Sequence, residues 1–186
     1  MGLHGPAWAC MGLLANVSCQ LSIPVCWNLQ TEQYETTQEN IFRLYLPNQS
    51  YTYDLIVVNT GFHDLQVCDE VEYGRSVQHY FNQISTYAKA HGSTVMFVSL
   101  TRVMENKVPQ EWKNATSNKR VQMFNAKART ACQALNLHFI DMYSLSRMVP
   151  DSLFSDAIHI GNVLNIYYTW ASRLIWMTYE MLLTEP

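Results

Sequence analysis

The chain has 186 residues, of which 48% are apolar and 15% are charged. This composition predicts one globular domain with a buried core, and it excludes a disordered or collagen-like chain. Lys and Arg number 12 against 15 Asp and Glu, which gives a formal net charge of -3, and no basic run occurs. The charge pattern therefore argues against nucleic acid as a partner.

The cysteines and sequons bear on metals and on the cellular compartment. No Cys-x-x-Cys pair and no zinc-type histidine spacing occurs, so we predict no metal site and no cofactor. An odd number of cysteines leaves at least one free thiol; they are Cys10, Cys19, Cys26, Cys68 and Cys132. Sequons at Asn16, Asn48 and Asn114 would mark exposed loops in a secretory or extracellular protein, and nothing else indicates a compartment. The apolar stretch 7–15 is not preceded by Lys or Arg, which is atypical of a signal peptide.

From residue 53 onward, short apolar runs alternate with longer stretches of helical period, which predicts an α/β domain with a parallel sheet. We predict strands at 54–59, 94–100 and 137–140, and helices near 76–91, 118–135 and 162–182. The buried stripes of the first two helices are expected to comprise Val77, Tyr80, Phe81, Ile84 and Ala88, and Val121, Phe124, Ala128, Ala131 and Leu135.

The two ends of the chain are harder to interpret. Residues 1–50 are poorly patterned and are assigned to the same domain as residues 51–186, with 19–26 and 41–46 as candidate strands. The stretch 163–183 approaches the length and apolarity of a membrane span. Polar residues recur on one side of it at helical spacing, so we favour an amphipathic helix docked on the domain and expect no stable membrane span.

Polar residues follow each predicted strand, in segments 59–64, 99–102 and 141–159. In an open parallel sheet, ligands bind beyond the carboxyl ends of the strands, so all three segments should face one edge. In the last segment, Asp156 precedes His159 by three residues. Such a carboxylate can accept the Nδ1 proton and leave Nε2 free as a general base. The alternative is that Asp156 only caps a turn and His159 is half-buried.

The segment after the first of these strands offers a second candidate. Gly61 permits close backbone approach, and His63 could donate a hydrogen bond to an oxyanion. The alternative is a plain connection from strand to helix, with Asp64 as the helix cap.

The run Tyr53-Asp-Leu-Ile-Val-Val-Asn-Thr-Gly-Phe-His-Asp64, followed by Asp156-Ala-Ile-His159, resembles the third and fifth sequence blocks of the SGNH (GDSL-type) hydrolase superfamily. The resemblance covers about residues 53–182. It implies a flavodoxin-like three-layer α/β/α sandwich with a parallel sheet. It also implies a Ser-His-Asp mechanism, in which Asp156 orients His159, His159 is the base, and Gly61 and His63 serve the oxyanion.

Here His63 stands where the superfamily usually has Asn, and the Asn-Thr-Gly-x-His form resembles the PC-esterase branch. That branch includes polysaccharide O-acetyltransferases and acetylesterases. The implied activity is hydrolysis or acyl transfer on a small acyl ester or an acetylated glycan.

The superfamily's Gly-Asp-Ser block is not found, and the nucleophile is unknown, because Ser18, Ser22 and Ser50 all lack a glycine elbow. The sheet is therefore expected to lack the superfamily's first strand. The strand at 54–59 would have an unpaired edge unless residues 1–50 or a partner chain complete the sheet.

Three interpretations remain open. The chain is an enzyme whose first strand and serine are absent from it, and which is inactive alone. Alternatively, it is a catalytically inactive relative that binds a glycan or a protein. The third interpretation is a structural flavodoxin-like domain in which the motifs coincide by chance.

Overall fold

A parallel β-sheet forms the centre of the computed structural model, which describes residues 18–22, 53–160, 178 and 180. The strands lie side by side in the sheet in the order β1-β2-β3-β4, and every described pair is parallel. The elements in chain order are β1 (Ser18–Ser22), β2 (Leu55–Asn59), α1 (Glu70–His91), β3 (Thr94–Val98), α2 (Asn118–Leu135), β4 (His138–Ile140) and α3 (Met142–Ser146). The predicted α/β class with a parallel sheet is confirmed.

The three predicted strands are present, and β3 ends two residues before its predicted end. Leu100 leaves the sheet because both of its backbone groups bind the side chain of Asn125. Its N–H donates to Asn125 Oδ1 at 2.9 Å, and its carbonyl accepts from Asn125 Nδ2 at 3.0 Å. A side chain 25 residues further along the chain thus replaces a neighbouring strand.

Strand β1 pairs with the edge of β2 that was expected to be unpaired unless residues 1–50 or a partner chain filled it. Ser18 pairs with Leu55, and Ser22 pairs with Asn59 at the carboxyl end of both strands. Residues from the poorly patterned N-terminal segment therefore complete the sheet on this side, at the place that a missing first strand was expected to leave unpaired. Residues 23–26 and the candidate strand at 41–46 lie outside the described residues.

Helix α1 begins six residues before its predicted start. Asp69 caps it, because one carboxylate oxygen accepts from the N–H groups of Val71 and Glu72, both at 2.8 Å. The prediction followed the apolar stripe and missed the first turns, where Val71 is exposed and Tyr73 is the first buried residue. The helix ends at Gly92, whose φ of 70° is left-handed.

Helix α2 has its predicted bounds. The Ser117 side chain accepts from the N–H of Arg120 at 3.3 Å, and Asn136 ends the helix with a left-handed φ of 55°. All residues of the two predicted stripes are buried except Leu135, which is partly buried. Of the predicted helix near 162–182, Thr178 and Glu180 are described, and both are helical.

Both faces of the sheet are buried, as a three-layer sandwich requires. On one face, Ile56, Val58 and Phe97 pack against the stripes of α1 and α2. The rings of Tyr73 and Phe124, one from each helix, stack with their centroids 4.1 Å apart. The opposite face packs against residues of α3, in a cluster of Leu55, Val57, Met96, Ile140 and Met142.

Two cysteines can be assigned. Cys132 is a buried free thiol, which confirms the expectation from the odd count, and Cys68 is disulfide-bonded. Burial raises the pKa of Cys132 to about 12, so this thiol is protonated and unreactive at neutral pH.

No helix in the described part of the chain is long and apolar enough to cross a membrane.

We predict that Asn125→Ala lowers the free energy of unfolding by about 3 kcal/mol, because it leaves the N–H and carbonyl of buried Leu100 without partners. Urea denaturation measures the change. The control is Gln133→Ala, at an exposed position of the same helix, with an expected change below about 0.5 kcal/mol. Equal values for the two variants would contradict the role of Asn125.

Candidate active site

Three segments meet the carboxyl edge of the sheet. Residues 60–64 follow β2, residues 99–104 follow β3, and residues 141–160 follow β4. Because the strands are parallel, these segments leave the sheet at the same edge, where α/β domains bind their ligands. The predicted site residues are distributed over the first and the third of them.

Asp156 and His159 form the hydrogen-bonded pair that their spacing predicted. Asp156 Oδ2 lies 2.7 Å from His159 Nδ1, and the side chains are 54% and 64% exposed. Asp156 Oδ1 also accepts from the N–H groups of Ile158 at 2.8 Å and His159 at 2.7 Å. The carboxylate therefore caps the turn and orients the imidazole at once. The alternative of a half-buried His159 is wrong.

The hydrogen bonds of Asp156 fix both its charge and the proton on its partner. Its partial burial would raise the pKa of this carboxyl, but the bonds from the His159 ring and from two backbone N–H groups outweigh it, and the pKa is lowered. An ionised carboxylate can only accept, so the proton of a neutral His159 lies on Nδ1. Nε2 is then left with a free lone pair, as a general base requires.

The pair sits on a short loop with its own internal bonds. Phe154 and Ile160 form an isolated antiparallel bridge, and Ser155 N–H donates to the His159 carbonyl at 2.9 Å. Phe154 and Ile160 are buried in a cluster with Met104. We refer to residues 154–160 as the dyad loop.

Gly61 occupies a position that only glycine fits. Its φ of 126° is one that L residues rarely adopt, and a Cβ there would lie 2.9 Å from Leu100 Cδ1 and 3.1 Å from Tyr73 Oη. Its carbonyl accepts from the N–H of Leu65 at 2.9 Å, a residue in the 3₁₀ turn Asp64–Gln66. The backbone at Gly61 is thus buried and fixed.

Asp64 has a different role from the predicted cap. Helix α1 is capped by Asp69, whereas Asp64 is fully buried and accepts from Thr60 Oγ1 at 3.1 Å. Tyr73 Oη donates to the Thr60 carbonyl at 3.3 Å, and burial together with the nearby Asp64 charge raises the pKa of Tyr73 well above its usual range. These bonds hold the residues on both sides of Gly61.

His63 is exposed, and its imidazole makes no hydrogen bond to another described residue. It is therefore available to donate to a ligand. No hydrogen bond joins His63 to His159 in the described part of the chain. The structure brings Asp156 and His159 into contact, and it places Gly61 and His63 at the same edge on the connection after β2, which β3 separates from β4.

Segment 99–102 was predicted to face the ligand-binding edge, but no role was predicted for its residues. Ser99 Oγ accepts from the N–H groups of Met142 and Tyr143, at 2.9 and 3.2 Å, and so fixes the start of α3. Arg102 bonds to the segment that leads into the dyad loop. The one signal for both residues was their position after an apolar strand.

Arg120 was missed altogether. From α2 it donates to the carbonyls of Leu65 and Cys68, at 3.1 and 2.8 Å, and so holds the connection that carries Gly61 and His63. Its place in a helix of regular period gave no indication of this function.

Among the described residues, no group of His, Cys, Asp and Glu could hold a metal ion.

Comparison with solved structures relates this arrangement to known folds. A lipase/acylhydrolase from Enterococcus faecalis matches with a TM-score of 0.58 and 16% identity, over 76% of this chain and 67% of that chain. A GDSL-like lipase from Bacteroides thetaiotaomicron matches with a TM-score of 0.57 and 14% identity, over 88% and 89% of the two chains. No protein-family model and no curated protein matches the sequence.

The chain therefore has the flavodoxin-type α/β fold of the SGNH (GDSL-type) hydrolases. At these identities the likeness establishes the fold, and function has to be argued from the site.

The pKa of Asp156 gives a prediction for acid stability. Its folded pKa is below the ordinary value of 3.8, so its hydrogen bonds stabilise the fold above that pH and are lost as the pH falls through the lowered pKa. We expect the stability advantage of the parent over Asp156→Asn to be constant above about pH 5 and to shrink as the pH falls below about 4. Urea denaturation at each pH measures it, and a difference that stays constant over the whole pH range would contradict the prediction.

Gly61→Ala should lower the free energy of unfolding by about 2 to 3 kcal/mol, because the new methyl group meets Leu100 and Tyr73 in addition to the strained backbone. Gly92→Ala is the matched control. Gly92 also has a positive φ, of 70°, but nothing lies within 4 Å of its added Cβ. Its expected cost is about 1 kcal/mol, and equal costs for the two variants would show that space at Gly61 is not limiting.

Proposed function

We propose that this domain provides the base and the oxyanion site of an SGNH-type ester hydrolase or O-acyltransferase. The observation that carries the proposal is the 2.7 Å bond between Asp156 and His159 Nδ1 on an exposed loop at the carboxyl edge of the sheet. It supplies an oriented imidazole with its second nitrogen free.

In the proposed reaction, His159 Nε2 removes the proton from an attacking hydroxyl. The hydroxyl oxygen bonds to the ester carbonyl carbon, and the negative charge of the tetrahedral intermediate moves to the carbonyl oxygen. The N–H of Gly61 and the imidazole of His63 would donate to that oxygen. The imidazolium then gives its proton to the leaving alcohol as the ester bond breaks, while the Asp156 carboxylate stabilises its charge. Water or a second alcohol takes the acyl group in the last step.

The attacking hydroxyl is the unassigned part of the proposal. Ser22 is the last residue of β1 and pairs with Asn59, so its backbone lies at the carboxyl edge, whereas Ser18 lies at the opposite end of β1. Ser22 is preceded by Leu21 and followed by Ile23-Pro24, without the Gly-Asp-Ser turn of the superfamily. We propose that a serine from such a turn is needed, and that the 186-residue chain alone has little activity.

The proposed substrate is a small acyl ester or an acetylated glycan. Support comes from the Asn-Thr-Gly-x-His form of the connection after β2 and from the exposure of the dyad, which leaves Asp156 and His159 open to a bulky ester.

The second candidate function is binding of a glycan or a protein without catalysis. It is favoured by the lack of a glycine elbow at any serine in residues 1–52.

The test is hydrolysis of an aryl acetate by the chain and by a version extended upstream with a strand ending in Gly-Asp-Ser. We expect turnover by the extended chain alone, because a base without an activated hydroxyl contributes little. In the extended chain, His159→Ala should abolish turnover, and His63→Ala should reduce kcat about 100-fold to 1000-fold. His79→Ala, at an exposed histidine on α1, is the control and should change nothing.

Turnover by the unextended chain that is lost in Ser22→Ala would make Ser22 the nucleophile and overturn the expected inactivity. A folded extended chain without turnover would contradict the enzymatic proposal and favour the binding function.

A further inference from the structure

Arg102 links the segment after β3 to the segment that leads into the dyad loop. We propose that Arg102 is a positioning residue, whose guanidinium holds the dyad loop in the geometry that keeps Asp156 on His159. The expected effect of Arg102 on catalysis rests on the proposed function, whereas its expected effect on the geometry of the dyad loop does not.

The Arg102 guanidinium makes hydrogen bonds along its edge and contacts an aromatic ring with its face. Nε donates to the Ser146 carbonyl at 3.0 Å, and Nη2 donates to the Val149 carbonyl at 2.8 Å and to Asp151 at 2.6 Å. The guanidinium carbon Cζ lies 4.5 Å from the centre of the Phe154 ring. The Arg102 side chain is 16% exposed, so its contacts with the two carbonyls and the ring are shielded from solvent.

These contacts reach the dyad through the base of its loop. Phe154 is 2% exposed and bridges to Ile160, so the ring under the guanidinium belongs to the first residue of the dyad loop. Two residues after Arg102, the N–H of Met104 donates to the Ala157 carbonyl at 2.8 Å, between Asp156 and His159. One short segment thus holds the loop at its base and at its middle.

Arg102 is itself held in place. Its N–H donates to Ser146 Oγ at 2.8 Å. The next residue, Val103, exchanges two hydrogen bonds with the side chain of Asn118 in α2, at 3.0 and 2.9 Å. The position of the guanidinium, and with it that of the dyad loop, is therefore fixed relative to the sheet and α2.

The arrangement uses properties that belong to arginine alone. A planar guanidinium can donate along its edge to several carbonyls while its face covers a ring, whereas a lysine ammonium is a point charge. Asp151 is 72% exposed, so its ion pair with Arg102 contributes little. The carbonyl and ring contacts are the ones that position the loop.

The experiment compares Arg102→Gln and Arg102→Lys with Arg129→Gln as a matched control. Arg129 also pairs with a carboxylate, Asp141 at 3.0 Å, and covers a ring, Phe139 at 4.1 Å, but it makes no contact with the dyad loop. The first readout is the ¹⁵N NMR signature of the His159 imidazole, which reports its tautomer. The second is amide hydrogen exchange at Met104 and Ser155. The third is kcat and KM for aryl acetate, measured in the chain extended with a Gly-Asp-Ser block.

In Arg102→Gln we expect His159 to lose its single Nδ1–H tautomer and both amides to exchange at least about tenfold faster. We expect kcat to fall about 100-fold with KM changed less than about threefold, because misplacement of a reacting group slows the chemical step more than binding. Arg102→Lys should be intermediate in all three readouts, and Arg129→Gln should match the parent.

The inference is overturned if folded Arg102→Gln matches Arg129→Gln in tautomer and exchange. Should Arg102→Gln fail to fold, Arg102→Lys decides by the same readouts, and values equal to the parent overturn it. An inactive extended parent would refute the proposed function alone, since the imidazole signature and the exchange rates would still test the positioning.

Discussion

The exit of the chain from β3 is the constraint on which the site depends. Leu100 is bonded through both backbone groups to Asn125, and this fixes where the segment 99–104 starts. The Leu100 side chain then limits the space at Gly61, and Met104 bonds to the dyad loop. Gly61 and His63 follow β2, and Asp156 and His159 follow β4. Both pairs of residues are thus positioned by segment 99–104, which contains none of them.

Two arginines hold the connections that carry the candidate site residues. Arg120 reaches from α2 to the connection after β2, and Arg102 reaches to the segment before the dyad loop. Apart from the exposed Asp151 and the Met104 sulfur, the acceptors of both side chains are backbone carbonyls, and each guanidinium also faces an aromatic ring. Backbone carbonyls do not titrate, so these acceptors are present at any pH. The Asp156 carboxylate, in contrast, gains a proton as the pH falls through its lowered pKa.

The sequence predicted best what is encoded locally. The bounds of α2 and the stripes of both long helices follow from a 3.6-residue period, and the pairing of Asp156 with His159 follows from a separation of three residues. The end of β3 could not be predicted, because it depends on a side chain 25 residues away. The role of Arg102 was hidden for the same reason, since its carbonyl partners lie 44 and 47 residues further along the chain. Helix α1 starts early because a cap, which is not part of the apolar stripe, sets its first turn.

The internal bonds of the dyad loop also have a consequence for how the site forms. The bridge from Phe154 to Ile160 and the contacts of Asp156 close over very few residues, so they cost little loop-closure entropy. The attachment of the loop to Met104 and Arg102 closes a far longer stretch of chain and costs more. The turn of the dyad loop can therefore form before the loop docks, whereas, on the proposed role of Arg102, docking is the step that then holds Asp156 on His159.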